Sequence, residues 1–357
     1  MPAIRRFVFF SCVALAAISL SLYSQQSALP LKPNSVRFAV IGDMGTGEKP
    51  QYEVAGQMIG DRLKFPFDFV ITMGDNLYGG SDPSDYESKF ERPYKPLLDA
   101  GVPFYAVLGN HDSPNERFYK PFNMNGQKYY TYKKGNVRFF ALDSNYMNPQ
   151  QLSWLEKELQ NSGSDWRICY FHHALYSSAA FHGSSTEIRL LLEPLFVKYG
   201  VQVVFAGHDH VYERVKPQNG ISYFVEGASG SLRKGNLRKK GLTAAGYDQD
   251  RSFMLIEIAG DELHFQTISR TGLTVDSGVI RRVAKITGAA ARPTLRPGHG
   301  GLPGRRLSQP SASDSSEEGQ SIPDHHAGDE KSLRPNTADP YRSDEQYCTD
   351  TLFAVTL

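Results

Sequence analysis

The chain is poor in cysteine and has almost no excess charge, and each shortage excludes a class of protein. Its 357 residues include three cysteines, Cys12, Cys169 and Cys348. Thiols so far apart form no disulfide framework, so the fold must depend on a hydrophobic core. A net charge of +1 gives no general attraction to nucleic acid or anionic lipid. No repeat of fixed period is present. Function must therefore come from a local site.

The amino-terminal segment is typical of an export signal. Arg5 and Arg6 precede an apolar run from Phe7 to Leu22, and polar residues follow at 24–27. We predict a signal peptide over residues 1–28, and hence a secreted or periplasmic protein without stable membrane association after cleavage. An uncleaved membrane anchor is the alternative, because the run is only just short of the roughly 17 to 25 residues that span a bilayer.

The composition changes again near the end of the chain. From residue 288 to residue 357 proline, glycine, serine, arginine and acidic residues replace the apolar patterns. A segment that buries so little apolar surface cannot offset the entropy lost on ordering, so we predict a disordered tail. Residues 34–287 remain, a length that one catalytic domain commonly fills.

Strand and helix patterns alternate in the first part of this domain, and hairpin patterns follow. The apolar spacing predicts helices over Pro50–Leu63, Gln150–Leu159 and Ser185–Tyr199. Hairpin turns are predicted at residues 133–136 and 260–261. This mixed order predicts an α/β fold in which two sheets pack together with helices outside, a four-layer α/β/β/α sandwich.

Five apolar runs of the strand type end in side chains that bind metals. Because ligands bind at the carboxyl ends of strands in α/β sheets, we expect these residues to meet at one sheet edge. A lone Gly-Asp or His-x-His is common on protein surfaces, and it is their joint occurrence in order that indicates a site. The five endings are Gly42-Asp43, Gly74-Asp75-Asn76-Leu77-Tyr78, Gly109-Asn110-His111-Asp112, His172-His173 and Gly207-His208-Asp209-His210.

These residue types suit a pair of metal ions that clamps a phosphoryl group. Such a pair needs a bridging carboxylate, for which Asp75 is the candidate, and Asp43 adds oxygen ligands to one metal. His208 and His210 are two residues apart at a strand end and can present both rings to neighbouring metals. The candidates that complete the second metal are Asn110 and His172.

In these residues the chain resembles the calcineurin-like metallophosphoesterases and, within them, the purple acid phosphatases. The resemblance covers residues 36–282 and includes Tyr78, at the position where the purple branch has a phenolate that ligates iron(III). It implies a first metal held by Asp43, Asp75, Tyr78 and His210, and a second held by Asp75, Asn110, His172 and His208. Three anionic oxygens favour Fe(III) at the first position, while the second suits Fe(II), Zn or Mn.

The resemblance also assigns the neighbouring histidines. It implies that His111 contacts the substrate or donates a proton to the leaving group, and that His182 acts as a second substrate-side histidine and general acid. A solvated loop histidine is the alternative for His182. His173 and Asn76 are expected on the substrate side or behind the ligands. The family usually has His-x-Pro where this chain has His172-His173-Ala174, so the reverse assignment of these two histidines stays open.

The expected function is that of a binuclear metal-dependent phosphatase, acid phosphatase-like, which hydrolyses phosphate monoesters by attack of a metal-bound hydroxide. Phosphorylated small molecules or other phosphoesters are the expected substrates, and no nucleic acid partner is expected. A phosphodiesterase or nucleotide pyrophosphatase on the same metals is the alternative enzyme. A secreted phosphate-binding protein without turnover is the alternative of another class. The basic run of residues 233–240 either lines the rim of a phosphate site or is a solvated charge run.

Overall fold

The structure is a computed structural model that describes residues 29–163, 165–238 and 241–282. The predictions for the signal segment and for residues 288–357 lie outside this part. Within the described residues, no helix combines the length and the apolar character that crossing a membrane requires. Five α-helices are described, at Lys49–Arg62 (α1), Pro83–Tyr86 (α2), Arg92–Asp99 (α3), Pro149–Gln160 (α4) and Thr186–Tyr199 (α5).

Thirteen strands in the described residues form two sheets. The first sheet has the order β13-β12-β11-β1-β2-β3 and the second the order β10-β8-β9-β7-β6-β5-β4. The strands are Val36–Ile41 (β1), Phe69–Thr72 (β2), Phe104–Ala106 (β3), Tyr130–Lys134 (β4), Val137–Ala141 (β5), Trp166–His173 (β6), Val203–Gly207 (β7), Tyr212–Val215 (β8), Ser222–Glu226 (β9), Thr243–Tyr247 (β10), Ser252–Ala259 (β11), Glu262–Ser269 (β12) and Thr274–Arg281 (β13).

Three apolar layers hold the sheets and helices together. Between the two sheets, Phe38 and Ile71 of the first pack with Phe139 and Phe205 of the second. Residues of α1 and α3 cover the outer face of the first sheet, and residues of α4 and α5 cover that of the second. The predicted four-layer α/β/β/α sandwich is therefore confirmed.

The predicted elements agree closely with the observed ones, although the expectation of one sheet edge is corrected. The bounds of α1, α4 and α5 differ from the predicted bounds by no more than one residue. The predicted hairpins are the antiparallel pairs β4–β5 and β11–β12. Of the five strands that precede the candidate ligands, however, β1, β2 and β3 belong to the first sheet and β6 and β7 to the second. The candidate residues therefore meet where the edges of two packed sheets adjoin.

Candidate metal centre

The turns after three strands hold their side chains in an unusual backbone conformation. Asp43, Asp75 and His208 have φ angles of 52°, 50° and 70°, in the left-handed region that non-glycine residues seldom adopt. They follow β1, β2 and β7, and each stands directly after a glycine. Such strained residues persist where the surrounding structure fixes them, and they concentrate at functional sites.

Glycine is needed at two of the turns because carboxylates lie against the backbone there. A Cβ atom on Gly109 would lie 2.0 Å from Asp75 Oδ1, and one on Gly207 would lie 2.4 Å from Asp43 Oδ2. Both distances are far below any tolerated contact. The sequence pattern of glycine before a polar residue thus has a steric cause at these positions.

A first group of side chains converges beside Asp43. The Tyr78 hydroxyl lies 3.3 Å from Asp43 Oδ1 and 3.1 Å from His210 Nε2, and His210 Nε2 lies 3.3 Å from Asp43 Oδ1. One ligand atom each from Asp43, Asp75 and His210 lies within 4.8 Å of the others. The four residues implied for the first metal therefore come together.

A second group converges on His172. Its Nε2 atom lies 2.9 Å from Asn110 Oδ1, 3.1 Å from His208 Nδ1 and 3.4 Å from Asp75 Oδ1. Asp75 therefore borders both groups, as a bridging carboxylate would. The four residues implied for the second metal also come together.

The two adjacent histidines have different surroundings. His172 is fully buried, and its Nδ1 lies 2.8 Å from the carbonyl oxygen of Met73, which can only accept. The proton is thus on Nδ1, and the Nε2 lone pair faces the second group. His173 instead places its Nδ1 2.9 Å from Ser144 Oγ. His172 therefore has its free nitrogen among the candidate ligand atoms.

Electrostatic crowding at the site favours a bound cation. Burial and the neighbouring Asp75 carboxylate raise the pKa of Asp43 well above its ordinary value. Burial and the same two carboxylates raise the pKa of Tyr78. Burial, followed by the charge of Arg233, lowers the pKa of His210 to about 3, which leaves that imidazole neutral and able to coordinate. A cation offsets the repulsion between the carboxylates and reverses the shift of Tyr78, so this donor set fits a metal pair.

Asn76 lies behind the two groups. Its Nδ2 donates to Asp112 Oδ2 at 2.7 Å and to the Val107 carbonyl at 2.8 Å, and its side chain is fully buried. Asp112 also accepts from the backbone N–H groups of Gly109 and Leu77. Together they tie the turn after β2 to the turn after β3, so Asn76 positions other residues and does not face a substrate.

His111 and His182 lie beside the two groups and are exposed to solvent. The backbone N–H of His111 donates to Asp75 Oδ1 at 3.0 Å, and its ring centroid is 5.0 Å from that of Tyr78. The ring centroid of His182 is 3.9 Å from that of His208. Both imidazoles can therefore reach a molecule that enters the site from solvent.

Several residues that contact the site were missed by the sequence analysis. The Ser231 hydroxyl hydrogen-bonds the Tyr78 side chain, and its backbone N–H donates to the Asp43 carbonyl at 2.9 Å. Ser144 contacts His173 as described. No motif or spacing marks either serine. Arg233 was noted only within a basic run, yet its backbone N–H donates to the His210 carbonyl at 3.0 Å.

The chain is similar to known phosphoesterases in sequence and in fold. The calcineurin-like phosphoesterase model matches residues 36–212. Rat tartrate-resistant acid phosphatase type 5 is 24% identical over 67% of this chain and 88% of its own. Arabidopsis purple acid phosphatase 4 is 28% identical over 62% of this chain and 76% of its own. The yellow lupin purple acid phosphatase PPD1 shares the fold, with a TM-score of 0.59 and 23% identity over 70% of this chain and 55% of that chain. The chain therefore belongs to the calcineurin-like phosphoesterase family, with purple acid phosphatases among its relatives, and the predicted enzyme class, a phosphoester hydrolase, is confirmed.

Proposed function

We propose that the chain is a binuclear metal-dependent phosphatase of the acid phosphatase type, which hydrolyses phosphate monoesters. The observation that carries this proposal is the convergence of two groups of candidate ligands on the Asp75 carboxylate. The names of the acid phosphatase relatives support the choice of monoesters.

The first metal would be held by Asp43, Asp75, Tyr78 and His210, and the second by Asp75, Asn110, His172 and His208. Three anionic oxygens at the first position suit Fe(III), and the two imidazoles and one amide at the second suit Fe(II), Zn or Mn. A trivalent cation would remove the proton of Tyr78 in spite of its raised pKa, since the metal is the largest local charge.

When bound, the two ions would activate a water molecule and offset the negative charge that develops on the phosphoryl group. The chain's own residues supply position and protons. The His111 N–H fixes the bridging carboxylate of Asp75 at 3.0 Å. We expect the exposed imidazoles of His111 and His182 to donate a proton to the leaving-group oxygen, a role that histidine commonly has in catalysis.

Export remains part of the proposal, because the basic pair and apolar run at residues 5–22 support a signal peptide ending near residue 28. Mass spectrometry of the mature protein tests it. A mass that begins after the apolar run supports cleavage, whereas a mass that retains residue 1 supports the uncleaved anchor.

The test of the activity compares hydrolysis of phenyl phosphate, a phosphodiester and a diphosphate by the purified, metal-loaded chain. We expect the monoester to be turned over fastest, and Asp75→Asn and His208→Ala to lose at least about 100-fold in kcat/KM. His264→Ala, on β12 beside Glu262, is the matched histidine control and should keep wild-type activity. Faster diester or diphosphate turnover would favour the alternative enzyme. Phosphate binding without any hydrolysis would favour the non-catalytic alternative.

A further inference from the structure

An exposed aromatic side chain lies beside the candidate metal centre. Phe181 is 56% exposed, an unusual fraction for a phenylalanine. The guanidinium of Arg233 lies over its ring, 3.6 Å from the centroid. Its ring packs perpendicular to that of His182, with the centroids 4.5 Å apart and the planes at 85°.

Phe181 is fixed to the candidate metal centre by its neighbours. The ring of His182 lies against that of His208 at a tilt of 36°, and the backbone N–H of Arg233 donates to the His210 carbonyl. The loop that carries Phe181 pairs with the loop that carries Arg233 through a bridge between Ala179 and Leu237. The ring therefore has a defined place relative to the ligands.

This arrangement suits the recognition of a flat group. A guanidinium over an aromatic ring is an attractive contact that holds the ring in one orientation, so less freedom is lost when a ligand binds. More than half of the phenylalanine remains open to solvent, and aromatic rings stack favourably on planar partners. If His182 donates a proton to the leaving-group oxygen, as proposed above, the leaving group lies beside His182, whose ring centroid is 4.5 Å from that of Phe181.

We propose that Phe181, oriented by Arg233, binds the leaving group and gives the site a preference for phosphoesters of planar aromatic alcohols over those of aliphatic alcohols. The proposal rests on the phosphatase function proposed above and deepens it by naming a substrate class. Arg233 would then orient the Phe181 ring, whereas an arginine in a solvated charge run would contact only water.

The test measures binding, so that it does not depend on turnover. Phenylphosphonate and methylphosphonate place the same anion on the metals and differ in the planar ring. Calorimetric titration of the metal-loaded protein should give Phe181→Leu a Kd for phenylphosphonate about fivefold weaker than that of the wild type. The Kd for methylphosphonate should stay within about twofold. Phe181→Tyr keeps a ring and should keep the wild-type ratio.

The chain provides a matched control. Phe118 is 63% exposed and also carries a guanidinium over its ring, that of Arg117 at 4.3 Å, but it lies on the turn Pro114–Phe118 after β3. Phe118→Leu should leave both Kd values unchanged. Equal weakening of both phosphonates by Phe181→Leu, or an unchanged ratio, would overturn the proposal. Hydrolysis of phenyl phosphate by the wild type is scored separately, so absence of turnover counts against the phosphatase function alone.

Discussion

Replacing Gly109 by alanine should disable the site although residue 109 carries no functional group. The added Cβ would lie 2.0 Å from Asp75 Oδ1 and 2.3 Å from the Asp75 backbone nitrogen. A non-bonded carbon and oxygen need more than about 3 Å, so the bridging carboxylate or the turn that carries Asn110 must move by about 1 Å.

The expected cost follows from that displacement. Overpacking of a well-packed interior costs about 1–3 kcal/mol of unfolding free energy. A misplacement of about 1 Å in a catalytic group can reduce the rate by about 100-fold. Because Asp75 borders both groups of candidate ligands, its displacement should weaken both metal positions together.

The assay pairs Gly109→Ala with Gly60→Ala. Gly60 lies inside α1 with no atom within 4 Å of its added Cβ, so alanine there should raise the unfolding free energy by about 0.5–1 kcal/mol and leave activity intact. Unfolding in denaturant, bound metal and kcat/KM for phenyl phosphate are measured for both variants. Wild-type activity and full metal content in Gly109→Ala would show that Asp75 does not need the space that glycine leaves at position 109.

Three further predictions address single residues. If the first ion is Fe(III), Tyr78→Phe should abolish a visible charge-transfer band, and a band that survives would exclude the phenolate as its source. His172→Ala should lose one of two bound metals while His173→Ala keeps both, and equal losses would contradict the placement of His172 Nε2. Burial raises the pKa of Glu226 to about 8, so the folded state keeps a proton that the unfolded state has released between about pH 4.5 and pH 8. The Tm of the wild type should therefore fall relative to the Tm of Glu226→Gln as pH rises through this window. An equal change of Tm with pH in the two proteins would contradict the raised pKa of Glu226.

The positions of the candidate ligands could be predicted because they follow apolar runs in the sequence. Asp43, Asp75 and His208 each stand after a strand and a glycine, and that local pattern needs no knowledge of the rest of the fold. The assignment of His208 and His210 to particular metals, and the role of Tyr78 as a ligand, came from the family resemblance. The geometry brings the same residues together.

The assignment of strands to sheets could not be predicted from local patterns. β1 pairs with β11, whose residues lie more than 200 positions later in the chain, and such pairing leaves no local mark. For this reason the five ligand-bearing strands were expected at one sheet edge. The helical segment from α2 to α3 was not predicted either, because Pro93 and Pro96 within it are residues that usually end a helix.

Residues that support the site were the hardest to foresee. Ser144 and Ser231 are single hydroxyls in loops, and only the tertiary fold brings them to His173 and Tyr78. Asn76 belongs to the most recognisable motif of the chain, yet its side chain turns inward to Asp112. A motif thus marks a residue as important without indicating which way its side chain points.

Elemental analysis of the purified protein tests whether Asp75 holds two metal ions together. We expect close to two transition-metal ions per wild-type chain, and a joint loss from both positions in Asp75→Asn. A wild-type protein that binds no metal, or an Asp75→Asn variant that keeps two ions per chain, would contradict it.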